Sequence, residues 1–240
     1  SVRDKTLIRQ QDAKIDLSDG VALHNTSVDF TNVTIVKENE DYAGFRTQMS
    51  LKYTDCVFEN VYWAYGIEET FTNCVFNQTS SDHYNVWTYG AKTATFTNCM
   101  FNSAGKSVLV YKENGSEWYT VNLKNCVFNA TEPATGKAAI EIDSHLNPYN
   151  VNIENCTASG FDAGSVSGNI YTLKNGDDTN CNITINGINT YAEGLVKDAN
   201  GNYIASSNEG ITNAISDGAT IINLTQGDYI IPSSAKGKTL

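Results

Sequence analysis

Apolar and polar side chains alternate along most of this chain in short runs, and the runs are near copies of one another. The clearest are Tyr53-Thr54-Asp55-Cys56-Val57-Phe58, Phe71-Thr72-Asn73-Cys74-Val75-Phe76, Phe96-Thr97-Asn98-Cys99-Met100-Phe101 and Leu123-Lys124-Asn125-Cys126-Val127-Phe128. Fainter copies are Phe30-Thr31-Asn32-Val33-Thr34-Ile35, Ile153-Glu154-Asn155-Cys156-Thr157-Ala158 and Ile185-Asn186-Gly187-Ile188-Asn189-Thr190. Counted from Val33 through Cys56, Cys74, Cys99, Cys126 and Cys156 to Ile188, the copies lie 23, 18, 25, 27, 30 and 32 residues apart. Intervals of that size mark a solenoid, in which one repeat makes one coil.

Within a unit, pairs such as Val28 and Phe30, or Val151 and Ile153, put every second side chain on one face, the pattern of a half-buried strand. These side chains are predicted to point inward. The next residue but one is Asn32, Asp55, Asn73, Asn98, Asn125, Asn155 or Gly187, types that enter the left-handed α region at low cost. Each coil is therefore predicted to bend there. The cysteine position and the residue two further on (Ile35, Phe58, Phe76, Phe101, Phe128, Ala158, Thr190) resume the inward alternation in a second strand. A third strand precedes each lead, as in Tyr62–Gly66, Val86–Gly90, Ser107–Tyr111, Ala138–Ile142 and Asn169–Leu173.

Three strands per coil is the plan of a parallel β-helix. Stacked at the ~4.8 Å strand spacing, the repeats predict a buried Asn/Asp ladder, a thiol ladder and a Phe stack, with each amide bonded to the coils above and below. On this reading Trp63, Tyr65, Trp87 and Tyr89 share a face with Leu109, Ile140 and Ile142 and belong to the core. The aromatics assigned to loops, Tyr84, Trp118, Tyr119 and Tyr149, are left to meet a ligand.

The β-helix is assigned to residues 1–191. Residues 192–208 break the pattern and carry the turn signal Asp198-Ala199-Asn200-Gly201-Asn202, a linker or an edge hairpin. Residues 209–240 predict a short amphipathic helix from Glu209 to Ile215, then strands at Gly218–Leu224 and Gly227–Ile231. Gly237-Lys238-Thr239-Leu240 echoes Asp4-Lys5-Thr6-Leu7, which suggests one period of a tandem array or permuted ends.

Composition narrows the function. A net charge of -11 and a pI near 4.6 disfavour nucleic acid, which wants a basic face, and anionic membranes. No run of 18 apolar residues exists to span a bilayer. Ser1 opens no signal peptide, so the chain is expected to be mature or an excerpt. Of the six cysteines, Cys56, Cys74, Cys99, Cys126 and Cys156 share one inward slot and are expected to act as small buried hydrophobes rather than disulfides. Without a CxxC or Cys/His cluster, neither metal nor cofactor is implied. The Asn-x-Ser/Thr triplets are expected by chance in so Asn- and Thr-rich a chain.

The Val-x-Phe-x-Asn-Cys-x-Phe unit resembles repeats of the pectate-lyase-like right-handed parallel β-helix superfamily. Asn85–Ala91, Gly105–Tyr111 and Lys137–Ile142 are similar to β-helix domains of gut bacteriophage fibre proteins and of bacterial surface adhesins. The resemblance covers residues 5 to 191. It implies a right-handed coil in an extracellular, virion or cell-surface setting, with a homotrimer or tandem domains as possible assemblies. The helix and strands after residue 209 resemble the cap that opens such a domain.

Many proteins of that superfamily cleave polysaccharide, an activity that would require catalytic groups in this chain. A lyase needs Ca²⁺-binding carboxylates and a basic Arg or Lys, yet arginine occurs only at Arg3, Arg9 and Arg46, away from any carboxylate cluster. Gly176-Asp177-Asp178 is similar to the acidic motif of polygalacturonases but lacks that family's companion motifs. Glu141 and Asp143 are the best remaining acid pair. With Ala64, Thr88, Val110 and Tyr171 expected beside Glu141, no partner converges on it, and a solvated outer face is the simpler reading. His24, His83 and His145 are scattered.

The expectation is a non-enzymatic structural or attachment module on a virion, with a bacterial adhesin and a polysaccharide lyase or hydrolase as alternatives. Its partner would be a surface glycan or other host-surface receptor, together with further virion or surface-protein subunits.

Overall fold

The computed structural model describes residues 13–17, 21–22, 27–37, 44–47, 49–60, 62–112, 117–162, 170–173, 181–189, 196–197, 200–205, 208–224 and 227–239. Arg3, the Asp4–Leu7 echo, Arg9, His24, Gly176–Asp178, Thr190 and Asp198–Ala199 lie outside them.

The chain is mostly β, with parallel strands gathered in three large sheets, an arrangement compatible with a β-helix. The sheet of lead strands runs from Val28–Thr31 through Ser50–Thr54, Glu68–Thr72, Thr93–Thr97, Tyr119–Lys124 and Tyr149–Glu154 to Cys181–Ile185. The trailing sheet takes Lys14–Asp16 and the strands after the bends: Thr34–Val36, Val57–Glu59, Val75–Gln78, Met100–Ser103, Val127–Ala134 and Thr157–Phe161. A third sheet takes Tyr62–Trp63, Tyr84–Trp87, Lys106–Val110, Ile140–Ile142 and Tyr171–Leu173. Equivalent residues of successive repeats pair directly, Phe58 with Phe76, Phe76 with Phe101 and Phe101 with Phe128.

Registered repeats stack like on like. Phe58, Phe76, Phe101 and Phe128 form one column, with centroids 4.6, 4.7 and 4.8 Å apart. Phe30, Tyr53, Phe71 and Phe96 form a second, meeting the first edge to face, as Phe71 meets Phe76 at 63°. Each such contact adds about 0.5–1.5 kcal/mol beyond the area it buries. Cys56, Cys74, Cys99 and Cys126 are buried beside the columns and Cys156 is partly buried. All six cysteines are free thiols. In this slot the thiol donates to a carbonyl of the preceding repeat, Cys74 to Tyr53 and Cys99 to Phe71.

The bends carry positive φ at Asn32, Asp55, Asn73, Asn98, Asn125 and Asn155, between 50° and 56°. Their side chains do form a ladder, Asn73 Nδ2 to Asp55 Oδ1 at 3.1 Å, Asn98 to Asn73 at 3.2 Å and Asn125 to Asn98 at 3.1 Å. It is not buried as expected: all six bend residues are exposed. The flanking ring and thiol already fill the interior, so the side chain of a convex corner turns to solvent.

The seventh copy departs from the pattern. Asn186 and Gly187 both have positive φ, 50° and 77°, the backbone of a type I′ hairpin. Ile188–Asn189 accordingly returns antiparallel to Cys181–Ile185 instead of opening another trailing strand.

Beyond it, Val196–Lys197 and Tyr203–Ala205 pair antiparallel, and Ile222–Leu224 joins Tyr203–Ala205 in parallel. The helix spans Asn208–Ser216. It packs Ile211 and Ala214 with Tyr203, Ala205, Ala219 and Ile222 in a core cluster separate from that of the repeats. Gly227–Ile231 is not a strand, and Ile230 is 78% exposed. Among the described residues no helix is long and apolar enough to cross a membrane.

Candidate functional site

The third sheet holds the largest departure from the sequence reading. Tyr62, Val86, Val108, Ile140 and Tyr171 form its buried column, whereas Trp63, Trp87, Leu109, Glu141 and Thr172 form the adjacent one. Glu141 thus lies between Leu109 and Thr172, one position from the expected stack. Trp63, Tyr65, Trp87 and Tyr89 are not core. All four are partly exposed and stand on the opposite side of the strands from Tyr62, Ala64, Val86 and Thr88.

These rings make a continuous aromatic face. Trp63 lies 5.0 Å from Trp87 and 4.7 Å from Tyr89, while Tyr65 lies 5.1 Å from Trp63 and 5.4 Å from Tyr89. Trp87 continues to Tyr111 at 5.5 Å, and Tyr111 to His145 at 6.2 Å. The Trp87 indole N–H donates to the Tyr111 carbonyl at 3.2 Å, which fixes its ring plane. Gly90 permits the close approach, because a Cβ there would come within 2.8 Å of the Tyr65 ring.

A polar cluster adjoins the rings. Tyr84 donates to Glu141 Oε1 at 2.5 Å, and Lys106 forms an ion pair with Oε2. The Lys106 ammonium also sits 5.8 Å from the centre of the Tyr84 ring. Asp143 pairs with His145. Glu141 and Asp143 are only 4% and 5% exposed, so neither lies on the solvated face expected of them, and Glu141 does have convergent partners from neighbouring repeats. Sequence reasoning missed them because Lys106 and Tyr84 reach the carboxylate along the sheet rather than from its own register.

Comparison with protein-family models, curated proteins and solved structures finds no match to this chain.

Of the predicted ligand aromatics, only Tyr84 joins the polar cluster beside this face. Trp118 is exposed and, among the described residues, makes no ring contact with the cluster. Tyr119 and Tyr149 are buried in lead strands and pair with each other, and the Lys112 ammonium lies 4.3 Å from the centre of the Tyr119 ring. Burial holds the Tyr149 hydroxyl above the usual phenol range. Neither ring is open to a ligand, because the inward alternation of Tyr119-Thr120-Val121 and Tyr149-Asn150-Val151 begins at the tyrosine itself.

Glu69 is a functional group that the sequence pattern does not single out. It occupies the inward column between Leu51 and Ala94, 1% exposed. Its Oε1 accepts the Gly66 N–H at 2.5 Å, Oε2 lies 3.0 Å from the Tyr62 hydroxyl, and that hydroxyl meets the Tyr53 hydroxyl at 2.5 Å. Burial pushes its carboxyl up to about 8 against the lowering effect of these bonds. The alternation Glu69-Thr70-Phe71 carried the signal, a carboxyl in a slot otherwise filled by Leu51, Ala94, Val121 and Val151. Among the described residues no group of three or more His, Cys, Asp or Glu is placed to hold a metal.

Proposed function

We propose that this chain is a right-handed parallel β-helix with three strands per coil, serving as a non-enzymatic attachment module in an extracellular or virion-borne protein. Its partner is a neutral surface glycan. The observation that carries this reading is the outward cluster of Trp63, Tyr65, Trp87, Tyr89 and Tyr111 on a stiff parallel sheet. Large rigid rings offer contact area to sugars at low entropic cost. A net charge of -11 repels acidic polymers and leaves neutral ones favoured. Attachment fits Glu141 better than acid–base chemistry does, since its carboxylate is engaged by both Lys106 and Tyr84.

Incubation with neutral and acidic polysaccharides, followed by product sizing, tests the non-enzymatic part; shortened chains would refute it. Screening on a glycan array tests the rest, with binding to one or more neutral glycans expected. A blank array would refute attachment through carbohydrate.

A further inference from the structure

The aromatic face has a direction. Trp63, Trp87, Tyr111 and His145 come from four successive repeats, and their centroids step by 5.0, 5.5 and 6.2 Å. These steps run obliquely across the strands: Trp63 and Trp87 are register partners, Tyr111 stands two residues past Leu109, the partner of Trp87, and His145 three residues past Ile142, the partner of Val110. Tyr65 and Tyr89 stiffen one flank: Tyr65 packs tilted at 45° against Trp63, and Tyr89 stacks on Trp63 at 28° and meets Trp87 edge-on at 87°. Where the aromatic rings give way to Glu141, the polar groups are already paired as Glu141–Lys106 and Asp143–His145. Such paired groups retain lone pairs and N–H bonds for hydroxyls, and the Lys106 ammonium compensates the Glu141 carboxylate.

We propose that this line is a row of consecutive subsites for one uncharged oligosaccharide, whose chain crosses the strands with successive sugars over Trp63, Trp87, Tyr111 and His145. The Tyr84–Lys106–Glu141 cluster hydrogen-bonds hydroxyls at one end. The inference rests on the carbohydrate-attachment reading and adds to it the location, the length and the direction of the ligand. A monosaccharide would cover one ring, whereas an extended chain engages all four in a single binding event. Because the indole of Trp87 is held by the Tyr111 carbonyl, the middle of the row is organised before ligand arrives, which lowers the ordering cost of binding.

The experiment takes the neutral glycan identified on the array and titrates the whole chain by calorimetry with fragments of one to six sugars. Affinity is expected to rise by about two- to tenfold per added sugar, as one aromatic contact each would give, and to level off once the row is filled at about four. Trp87→Ala and Tyr111→Leu are each expected to weaken the longest fragment at least about fivefold and to shorten the dependence on length, with far-ultraviolet circular dichroism unchanged. Trp87→Phe, which keeps a ring, restores part of the loss and guards against misfolding of the alanine variant. Trp118→Ala is expected to have no effect. If a glycan binds with an affinity independent of length, or binding survives Trp87→Ala and Tyr111→Leu but not Trp118→Ala, the row is wrong while the attachment reading stands. If no neutral glycan binds, both fall.

Discussion

Phe71 and Phe96, one repeat apart, lie with ring centroids 4.6 Å apart and planes 4° from parallel, and neither is accessible to solvent. Each also meets Phe76 at an angle above 60°, so the two aromatic columns lock together. Phe96→Ala is expected to cost about 3–5 kcal/mol, the range for deleting a buried ring. Phe96→Leu, which refills most of the volume, should cost markedly less. Urea denaturation of both variants checks the order, and equal losses would show that the ring stack adds nothing beyond bulk.

Glu69 makes stability depend on pH in an unusual direction. Its folded carboxyl titrates near 8 against an ordinary 4.5, so across that window the folded chain holds a proton the unfolded chain has released. By linkage its stabilising contribution is complete below about pH 4.5, declines as pH rises and is lost above about pH 8. The total is of the order of a few kcal/mol. Thermal melts from pH 5 to 9 should show this decline, and Glu69→Gln, neutral throughout, should flatten it.

Asn98 separates conformation from bonding. It sits at φ 54° and takes part in two amide bonds of an exposed ladder. Asn98→Gly retains the backbone and should cost only a fraction of a kcal/mol, whereas Asn98→Val forces a branched residue into the left-handed region at about 1–2 kcal/mol or more. Differential scanning calorimetry of the two variants decides which effect holds the bend.

The thiols should react unequally. Five are buried and Cys156 is partly exposed. Burial keeps reagents from Cys56, Cys74, Cys99, Cys126 and Cys181, so access sets the order of reaction. Brief labelling of the folded chain with a maleimide is expected to modify Cys156 first and the others only after denaturant is added. Mass spectrometry of the digested product provides the check.

The repeats were legible because backbone and packing requirements coincide in them. An Asn that tolerates positive φ precedes a thiol and a Phe that share one inward face, so each signal reinforces the next. The aromatic face was illegible because Tyr62-Trp63-Ala64-Tyr65 is apolar at every position, and alternation has no phase where nothing is polar. The next repeat adds an irregularity, since Asn85 and Val86 are consecutive and both buried. Asn186-Gly187 misled for a different reason: residues suited to one positive φ also suit two in succession, which turns a bend into a reversal. Glu69 lay in plain view in an apolar column but pointed to no chemistry until Tyr62 and Gly66 were seen around it.

That reversal bears on how the molecule behaves in a crowd. An incoming chain that tried to extend the lead sheet past Cys181–Ile185 would meet a segment running the opposite way, whose amide and carbonyl groups are out of phase with a parallel newcomer. Two residues of backward-running backbone act as a stopper, discouraging at that rim the head-to-tail polymerisation that repetitive sequences invite.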